Sequence, residues 1–275
     1  MRPDTRIGKI LFLILQTGIA LIIIFPILYA LDISFLPLSQ IFGKPLDLFP
    51  HKIDFSYYIR AFQVAPLFRY LMNTTVIAVS ITAGQLILAC VTAFAFTHFD
   101  FKGKKLLFML ILATMMIPGE SIVLSNYLTM GDLGLLDTYI AMILPSLASA
   151  MSIFFMRQAF LQMPKDIYEM ATLDGCGNLR FLFTMLIPLS KGAMSAVGIY
   201  TFINAWNAYM WPLLVTNTDR MRTVQIGIGM LLNAESAEYN MMMAGVIVVM
   251  LPTVLIFVLG QKYILSGMLV GAVKG

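Results

Sequence analysis

Charged residues are scarce in this chain of 275 amino acids. Asp, Glu, Lys and Arg make up 12% of the sequence, whereas hydrophobic residues make up 60%. Soluble domains carry about 25% charged residues, because each of their surface helices needs one polar face. Several segments of this chain have no polar face, so the composition excludes an ordinary water-soluble domain and predicts helices that face lipid.

Cysteine and histidine are also rare. Cys90 falls in an apolar segment and Cys176 in a polar loop that we place in the cytoplasm, so we expect neither a disulfide nor a redox site. His51 and His98 have no second histidine near them in the sequence, and we expect no metal site. The net charge of +4 comes from basic residues scattered at the ends of apolar segments, which argues against a nucleic acid partner.

Six apolar segments are long enough to cross a bilayer, whose core of about 30 Å takes about 20 helical residues. Two of them contain Pro118 and Pro145, which a helix bundle tolerates because neighbouring helices satisfy the freed carbonyl groups. The sequence therefore predicts an all-α integral membrane protein with a single domain, residues 1–275. The six predicted transmembrane helices are 10–35, 70–97, 106–128, 139–161, 193–215 and 241–265.

The basic residues predict the orientation of these spans. If the N-terminus is cytoplasmic, twelve of the 18 Lys and Arg residues fall in cytoplasmic segments, which is the excess expected of such segments. Both termini are therefore predicted to lie in the cytoplasm, together with a long loop, residues 162–192. The first apolar segment is longer than the roughly 7–15 residues of a signal-peptide core, so we expect it to remain as a span.

Loop 162–192 carries the signals of a short helix. Pro164 suits a first helical turn, and Asp166 and Glu169 place negative charge near the positive end of the helix dipole. Asp174 and Gly175 then provide a residue that can adopt a left-handed conformation and end the helix. The pattern predicts a short helix followed by a sharp turn.

The predicted helix has one narrow apolar stripe, because Ile167, Met170 and Ala171 recur at i, i+3 and i+4. Such a helix could lie on lipid headgroups, which Lys165 and Arg180 would favour. It could also be part of a solvated loop, or it could dock into a groove of another protein. The stripe is small for a membrane anchor, so docking has the most support, and the other two interpretations stay open.

Glu120 lies within the third predicted span, directly after Pro118 and Gly119. A carboxylate at bilayer depth is costly and therefore suggests a function. It could bind a cation or a proton, as in a secondary transporter. We favour the other interpretation, in which it hydrogen-bonds the backbone groups that the helix break sets free.

The outer half of the fifth span combines aromatic and amide side chains. Trp and Tyr are expected there as an interfacial belt, which is the favoured interpretation. The alternative is a solute path in which Asn204 and Asn207 share a helical face, with Trp211 at i+4 from Asn207, and an aromatic ring packs against a sugar. The candidate path residues are Asn204, Trp206, Asn207, Tyr209 and Trp211, together with Glu120.

The long loop also resembles a known motif. Glu169, Ala171, Gly175 and Pro188 are spaced as in the EAA loop of ABC importer permeases, written E-A-A-x3-G-x9-I-x-L-P, and the departures Met170, Met185 and Ile187 are apolar for apolar. Further similar stretches are Asn73-Thr74, Ile117-Pro-Gly-Glu120, Met163-Pro164 and Trp206-Asn-Ala-Tyr-Met-Trp-Pro212. The chain thus resembles the carbohydrate-uptake permeases of the maltose type, among them glycerol-3-phosphate and oligosaccharide subunits.

The resemblance implies a type I ABC importer permease of the bacterial cytoplasmic membrane that moves a sugar or a sugar-like solute inward by alternating access. It implies a coupling helix seated in a cleft of a separate ATPase, with Glu169 as a polar contact and Ala171 allowing close approach. The implied partners are a second permease subunit in a heterodimer, two ATPase subunits that bind ATP and Mg, an extracytoplasmic solute-binding protein and the lipid bilayer. The coupling-loop residues are Pro164, Asp166, Ile167, Glu169, Met170, Ala171, Asp174, Gly175 and Pro188.

The chain itself is not expected to be an enzyme or to hold a cofactor. Its nearest approach to a phosphate-binding G-x-x-x-x-G-K-[ST] loop has His98 in place of the first glycine and Lys105 in place of the Ser or Thr. An ATP-independent secondary transporter that uses Glu120 is the alternative, although paired intramembrane charges are missing. The Lys and Arg residues within the predicted spans, Arg157 and Lys262, lie near cytoplasmic ends, which favours a neutral sugar over glycerol-3-phosphate.

Overall fold

The computed structural model describes residues 6–41, 53–232 and 239–272, and side chains between residues 8 and 261 of these ranges. His51 lies outside the described residues. The described part of the chain contains helices and turns and no strand. The α-helices are α1 Arg6–Ile33, α2 Leu38–Ile41, α3 Ser56–Val64, α4 Leu67–His98, α5 Lys104–Ala113, α6 Gly119–Asp132, α7 Tyr139–Ile143, α8 Ala150–Leu161, α9 Lys165–Leu173, α10 Asn178–Phe181, α11 Ile187–Leu189, α12 Lys191–Trp206, α13 Met210–Val215, α14 Val224–Leu232 and α15 Tyr239–Ala272. Two 3₁₀ turns, Thr114–Met116 and Leu144–Ser146, and one π-helical segment, Leu182–Leu186, join some of them.

Three stretches of helix are long and apolar enough to cross a membrane by themselves. They are Gly8–Ile33 in α1, the whole of α4, and Tyr239–Gln261 in α15, and they coincide with the first, second and sixth predicted spans. Three more crossings arise if each of three bent helix pairs counts as one span. The count of six spans and the cytoplasmic position of the termini stay predictions.

The other three predicted spans correspond to bent helix pairs and not to straight helices. The axis turns by 97° between 104–116 and 119–132, by 49° between 139–146 and 150–161, and by 83° between 178–189 and 191–206. Ile117 is extended at the first break, because the ring of Pro118 disfavours the helical conformation of the residue before it. The structure thus confirms the helix break predicted at Pro118, and it also bends the fourth predicted span, after the 3₁₀ turn that contains Pro145.

The chain divides into two compact units. The first comprises Met1–Phe68 and Gly227–Leu251, within the described residues, and the second comprises Arg69–Ile226 and Pro252–Gly275. In the first unit the amide of Asn240 donates to the carbonyl of Leu36 at 3.0 Å, and Ser34 Oγ lies 2.7 Å from Tyr58 Oη. The candidate sites described below lie in the second unit.

The second unit has two hydrophobic cores. One contains Phe94 on α4, Met156 and Phe160 on α8, and Phe181 and Leu182, and α9 packs against it. The other contains Ile77, Ile81, Met142 and Val215. Each core joins the long helix α4 to helices from the bent pairs, so α4 is shared by both cores.

Candidate functional site: translocation cavities and coupling loop

The fifth predicted span is interrupted after Trp206. α12 ends there, residues 207–209 are not helical, and α13 begins at Met210. Pro212 explains the break, because it has no N–H and its ring would clash with the carbonyl of Ala208 in a continuous helix. The prediction of one helix over 193–215 is wrong, and Trp211 does not share a helical face with Asn204 and Asn207.

The predicted path residues have different surroundings. The Trp206 side chain is 1% exposed and stacks on Phe202, with 5.6 Å between the ring centroids. The Asn207 amide donates to the carbonyl of Ile203 at 2.9 Å, and its oxygen accepts from Gln225 Nε2 at 3.1 Å. Tyr209 is exposed. None of these three side chains lines either of the two cavities described below.

Asn204 and Trp211 do meet at one cavity of about 260 Å³, which we call the Gln85 cavity. Trp211 is fixed there by a hydrogen bond of 3.0 Å from its indole N–H to the carbonyl of Ala141, and the Asn204 amide donates to the carbonyl of Tyr200 at 2.8 Å. The polar side chains of the lining are Gln85, Ser146, Ser149, Tyr200, Thr201 and Asn204.

Gln85 lines this cavity and forms hydrogen bonds with three other helical segments. Its amide nitrogen donates to the carbonyl of Ser146 at 2.6 Å. Its oxygen accepts from Ser152 Oγ at 3.0 Å and from Thr201 Oγ1 at 3.1 Å. Gln85 is not among the predicted path residues, although a glutamine in the middle of an apolar span is a signal of function.

A second cavity of about 370 Å³ lies between α8 and α12, and we call it the Gln158 cavity. Its polar lining consists of Ser152, Gln158, Gln162 and Tyr200. Ser152 also bonds to Gln85, and Tyr200 lines both cavities. The two cavities are therefore neighbours, joined by Tyr200 and by the hydrogen bond between Ser152 and Gln85.

Every residue that lines these two cavities is uncharged. Arg157 lies inside α8, within a bent pair long enough to span a membrane. Its guanidinium carbon lies 4.2 Å from the centroid of the Phe108 ring on α5. The cation thus makes a cation–π contact on another side of α8 and does not line either cavity.

Glu120 lies outside the lining of both cavities. It lies in the first turn of α6, which begins directly after Pro118, and its side chain is exposed. Negative charge is favourable at this end of a helix dipole. Glu120 is not among the lining residues of either cavity, and its predicted role in the path stays a prediction.

The coupling loop contains the predicted short helix. α9 begins directly after Pro164, with Asp166 in its first turn. Gly175 has φ = +73°, its N–H donates to the carbonyl of Thr172, and the N–H of Cys176 donates to the carbonyl of Ala171 at 2.9 Å. This pair of hydrogen bonds is a Schellman motif, which confirms the predicted left-handed turn.

The predicted apolar stripe is split between two environments. Ala171 is 5% exposed and half-buried Ile167 packs beside it, both against the chain's own core. Met170 is 60% exposed and Leu173 is 87% exposed, and Glu169 is exposed beside them. Ile167 and Ala171 therefore pack on the chain's own core while Met170 stays exposed, so the three residues are not one docking surface.

Pro188 lies in α11, which follows the π-helical segment Leu182–Leu186. The chain bends by 83° after this region, at the junction with α12. The missing N–H of a proline and the wider turns of a π-helix are both common causes of bends. Pro188 therefore marks where the coupling loop turns into the next membrane helix.

Asn73, part of one of the recognised motifs, fastens the segment before α14. Its amide nitrogen donates to the carbonyls of Arg220 and Arg222, both at 2.9 Å, and its oxygen accepts from Tyr139 Oη at 2.6 Å. The next residue, Thr74, accepts from the N–H of Val224 at 2.9 Å. These bonds connect the beginning of α4 to the beginning of α7 and to residues 220–224.

Residues 85–269 match the family of binding-protein-dependent transport system inner membrane components. The match covers more than half of the chain, and the chain belongs to this family of membrane permeases. It is a permease component of the ABC-importer class, as the sequence motif predicts, and the ATP-independent alternative is not favoured.

The chain is similar to individual permeases over nearly its whole length. It is 35% identical over 276 residues to the arabinooligosaccharides transport system permease protein AraQ of Bacillus subtilis, covering 99% of this chain and 98% of that protein. It is 36% identical over 266 residues to the sn-glycerol-3-phosphate transport system permease protein UgpE of Brucella abortus, covering 93% and 94%.

The fold matches that of a solved importer subunit. The TM-score is 0.82 at 25% identity to a chain in the crystal structure of a bacterial ABC transporter involved in the import of the acidic polysaccharide alginate, covering 94% of this chain and 97% of that chain. These findings confirm the predicted family, the all-helical permease fold and the membrane location. The roles of single residues in the coupling loop and the path stay predictions.

Proposed function

We propose that this permease and a second permease subunit form the pathway of an importer for a neutral saccharide. A solute-binding protein delivers the solute, and two separate ATPase subunits bind ATP and Mg and hydrolyse the ATP. The similarity to importer subunits supports such an assembly. One similar structure, at a TM-score of 0.62, is described as an alginate ABC transporter in complex with an alginate pentasaccharide-bound periplasmic protein.

The absence of charge from the lining of both cavities carries the proposal of a neutral solute. Arabinooligosaccharides, named for one relative, are neutral, whereas sn-glycerol-3-phosphate and alginate, named for others, are anionic. Proteins typically bind phosphate and carboxylate groups with Arg or Lys. The amide and hydroxyl groups of Gln85, Ser149 and Asn204 suit the hydroxyl groups of a neutral sugar.

The exposed side of α9 supports the proposed coupling to an ATPase. Met170 and Leu173 offer an apolar surface outside the chain's own core, and Glu169 adds a negative charge beside it. Exposed apolar side chains of a short helix suit a groove in a partner. Closure of an ATPase dimer would move α9, and rotation of the attached helices would then open the pathway alternately to each side.

A transport assay in vesicles tests the proposal. The permease is reconstituted with its second permease subunit, ATPase and binding protein, and uptake of arabinooligosaccharides, sn-glycerol-3-phosphate and alginate oligosaccharides is compared with and without ATP. We expect ATP-dependent uptake of the neutral oligosaccharide alone. Uptake of only the anionic solutes would contradict the proposed substrate class.

The same vesicles also distinguish a secondary transporter. Uptake that follows an imposed ion gradient without ATPase subunits, and that is lost in Glu120→Gln, would overturn the proposed ATP-driven mechanism. The proposed mechanism instead predicts no uptake without the ATPase, because Glu120 lies outside the cavity linings.

A further inference from the structure

Four aromatic rings join the buried side of α9 to the end of α4 and to α10. They are Phe94, His98, Tyr168 and Phe181, and we call them the aromatic seat. The Tyr168 ring lies edge-to-face at 4.8 Å from His98 and at 5.0 Å from Phe181, measured between centroids. All six separations among the four rings fall between 4.6 and 6.4 Å. Aromatic rings attract one another at such separations.

Hydrogen bonds and burial fix the orientation of these rings. Tyr168 Oη donates to Asn178 Oδ1 at 2.8 Å, and His98 Nδ1 lies 2.7 Å from Thr97 Oγ1. Phe94 is 3% exposed and Phe181 is 2% exposed. Tyr168 is therefore held between two elements, while Met170 and Leu173 on the same helix point to the exposed side.

The covalent connections of α9 to the neighbouring membrane helices are interrupted. Pro164 at its beginning has an extended ψ of 133°, and Gly175 at its end has φ = +73°. Towards α12 the chain then passes through the π-helical segment Leu182–Leu186 and a bend of 83°. Such breaks in regular helix can absorb a displacement instead of transmitting it.

The ring contact between Tyr168 and His98 connects α9 to a continuous helix. α4 runs unbroken for 32 residues from Leu67 to His98 and contains no proline. Gln85 lies 13 residues before His98, which corresponds to about 20 Å along the helix axis. Gln85 bonds to Ser152 and Thr201, which line the cavities. A movement of α4 at His98 would therefore displace Gln85 and the lining residues bonded to it.

We propose that the contact between Tyr168 and His98 transmits the movement of α9 through α4 to the Gln85 cavity. Tyr168 and His98 are positioning residues in this proposal, since neither lines the Gln85 or the Gln158 cavity and neither lies on the exposed side of α9. The inference rests on the proposed function, in which an ATPase moves α9. It adds a route by which a movement of α9 reaches the Gln85 cavity.

The test measures solute imported per ATP hydrolysed in the reconstituted importer. In Tyr168→Ala we expect this ratio to fall at least about fivefold, the lower end of typical coupling between sites, while the ATPase subunits stay bound. Tyr168→Phe and Asn178→Ala both remove the hydrogen bond between these two residues but keep the aromatic ring at position 168. Both variants should therefore retain the wild-type ratio. His98→Ala should reproduce the defect, and His98→Phe should restore the ratio by restoring an aromatic ring.

The controls separate a transmitting contact from a merely structural one. A structural role would lower the thermal midpoint or the retention of the ATPase in proportion to transport. If Tyr168→Ala does not assemble, His98→Ala decides, since His98 lies on α4 and away from the exposed side of α9. A wild-type ratio in His98→Ala would overturn the inference. Absence of ATP-dependent uptake in the unmodified complex would instead contradict the proposed function.

Discussion

Asn204 and Trp206 are two positions apart in the sequence, and the structure gives them different environments. Asn204 is exposed towards the Gln85 cavity, whereas Trp206 is 1% exposed and packs on Phe202. Positions i and i+2 of a helix do not share a face. The predicted path residues of the fifth span therefore include Asn204, which lines the cavity, and Trp206, which packs in the interior.

Replacing these two residues should have different consequences. Trp206→Ala should destabilise the folded permease by about 3–5 kcal/mol, because a large buried side chain leaves a cavity. Asn204→Ala should leave stability close to wild type and lower uptake per assembled complex. Thermal unfolding of the purified complex and uptake normalised to it measure both effects. A Trp206→Ala complex with unchanged stability and no uptake would assign Trp206 to the solute path.

Asp137 is a residue whose charge should make stability depend on pH. It has φ = +59°, and its carboxylate accepts hydrogen bonds from the N–H groups of Asn217 and Thr218 and from Thr218 Oγ1. Desolvation alone would raise the pKa of Asp137, but these hydrogen bonds and Arg222 hold the pKa below its ordinary value of 3.8.

The sign of the effect follows from the lowered pKa. The stabilisation is complete above the ordinary pKa and is lost as the pH falls through the lower pKa of the folded state. Asp137→Asn tolerates the positive φ and has no carboxylate to protonate. Thermal midpoints measured downwards from about pH 5 should fall more steeply in the wild type than in Asp137→Asn. Parallel curves for the two proteins would rule out this contribution.

Among the elements, α9 depends most on one backbone conformation, that of Gly175. A Cβ at this position would meet no atom within 4 Å, so the cost of a substitution comes from the positive φ alone. Glycine adopts a positive φ without steric cost, which fits the glycine of the recognised motif at this position.

Substitution of Gly175 tests the importance of that turn. Gly175→Val should cost at least about 1–2 kcal/mol of local strain, whereas Gly175→Asn should be tolerated better, because asparagine visits the left-handed region more readily. We expect Gly175→Val to lose the ATPase subunits or to uncouple hydrolysis from transport. Pull-down with a tagged permease and uptake in vesicles measure both. Equal subunit retention and uptake in the wild type and both variants would contradict the role of α9 in docking.

At the scale of the molecule, the first helix exposes a large apolar surface that lipid or another subunit has to cover. None of the 18 residues in the apolar window of α1 is buried, and Ile22 is 74% exposed. Apolar side chains in such numbers are stable only against lipid tails or another subunit. The family to which the chain belongs is one of multisubunit importers, and an exposed apolar helix fits a component of such an assembly.

The sequence by itself determined the class of this protein. The shortage of charge predicted a membrane protein, and the spacing of Glu169, Gly175 and Pro188 predicted the family, because both depend on residue type and local order. The turn at Gly175 was also predictable, since the choice of residue at a helix end is a local matter.

Only the tertiary structure decided which side chains meet. Gln85 joins Ser146, Ser152 and Thr201 across 61 to 116 residues of sequence, a contact that no local pattern contains. Pro212 turned the fifth predicted span into a broken one, because neighbouring helices determine whether a proline is accommodated as a kink or as a break. The faces of α9 were divided by what lies beneath it: Ala171 is buried because α9 packs on a core formed with α4 and α8, and Met170 is exposed because nothing in the described chain covers it.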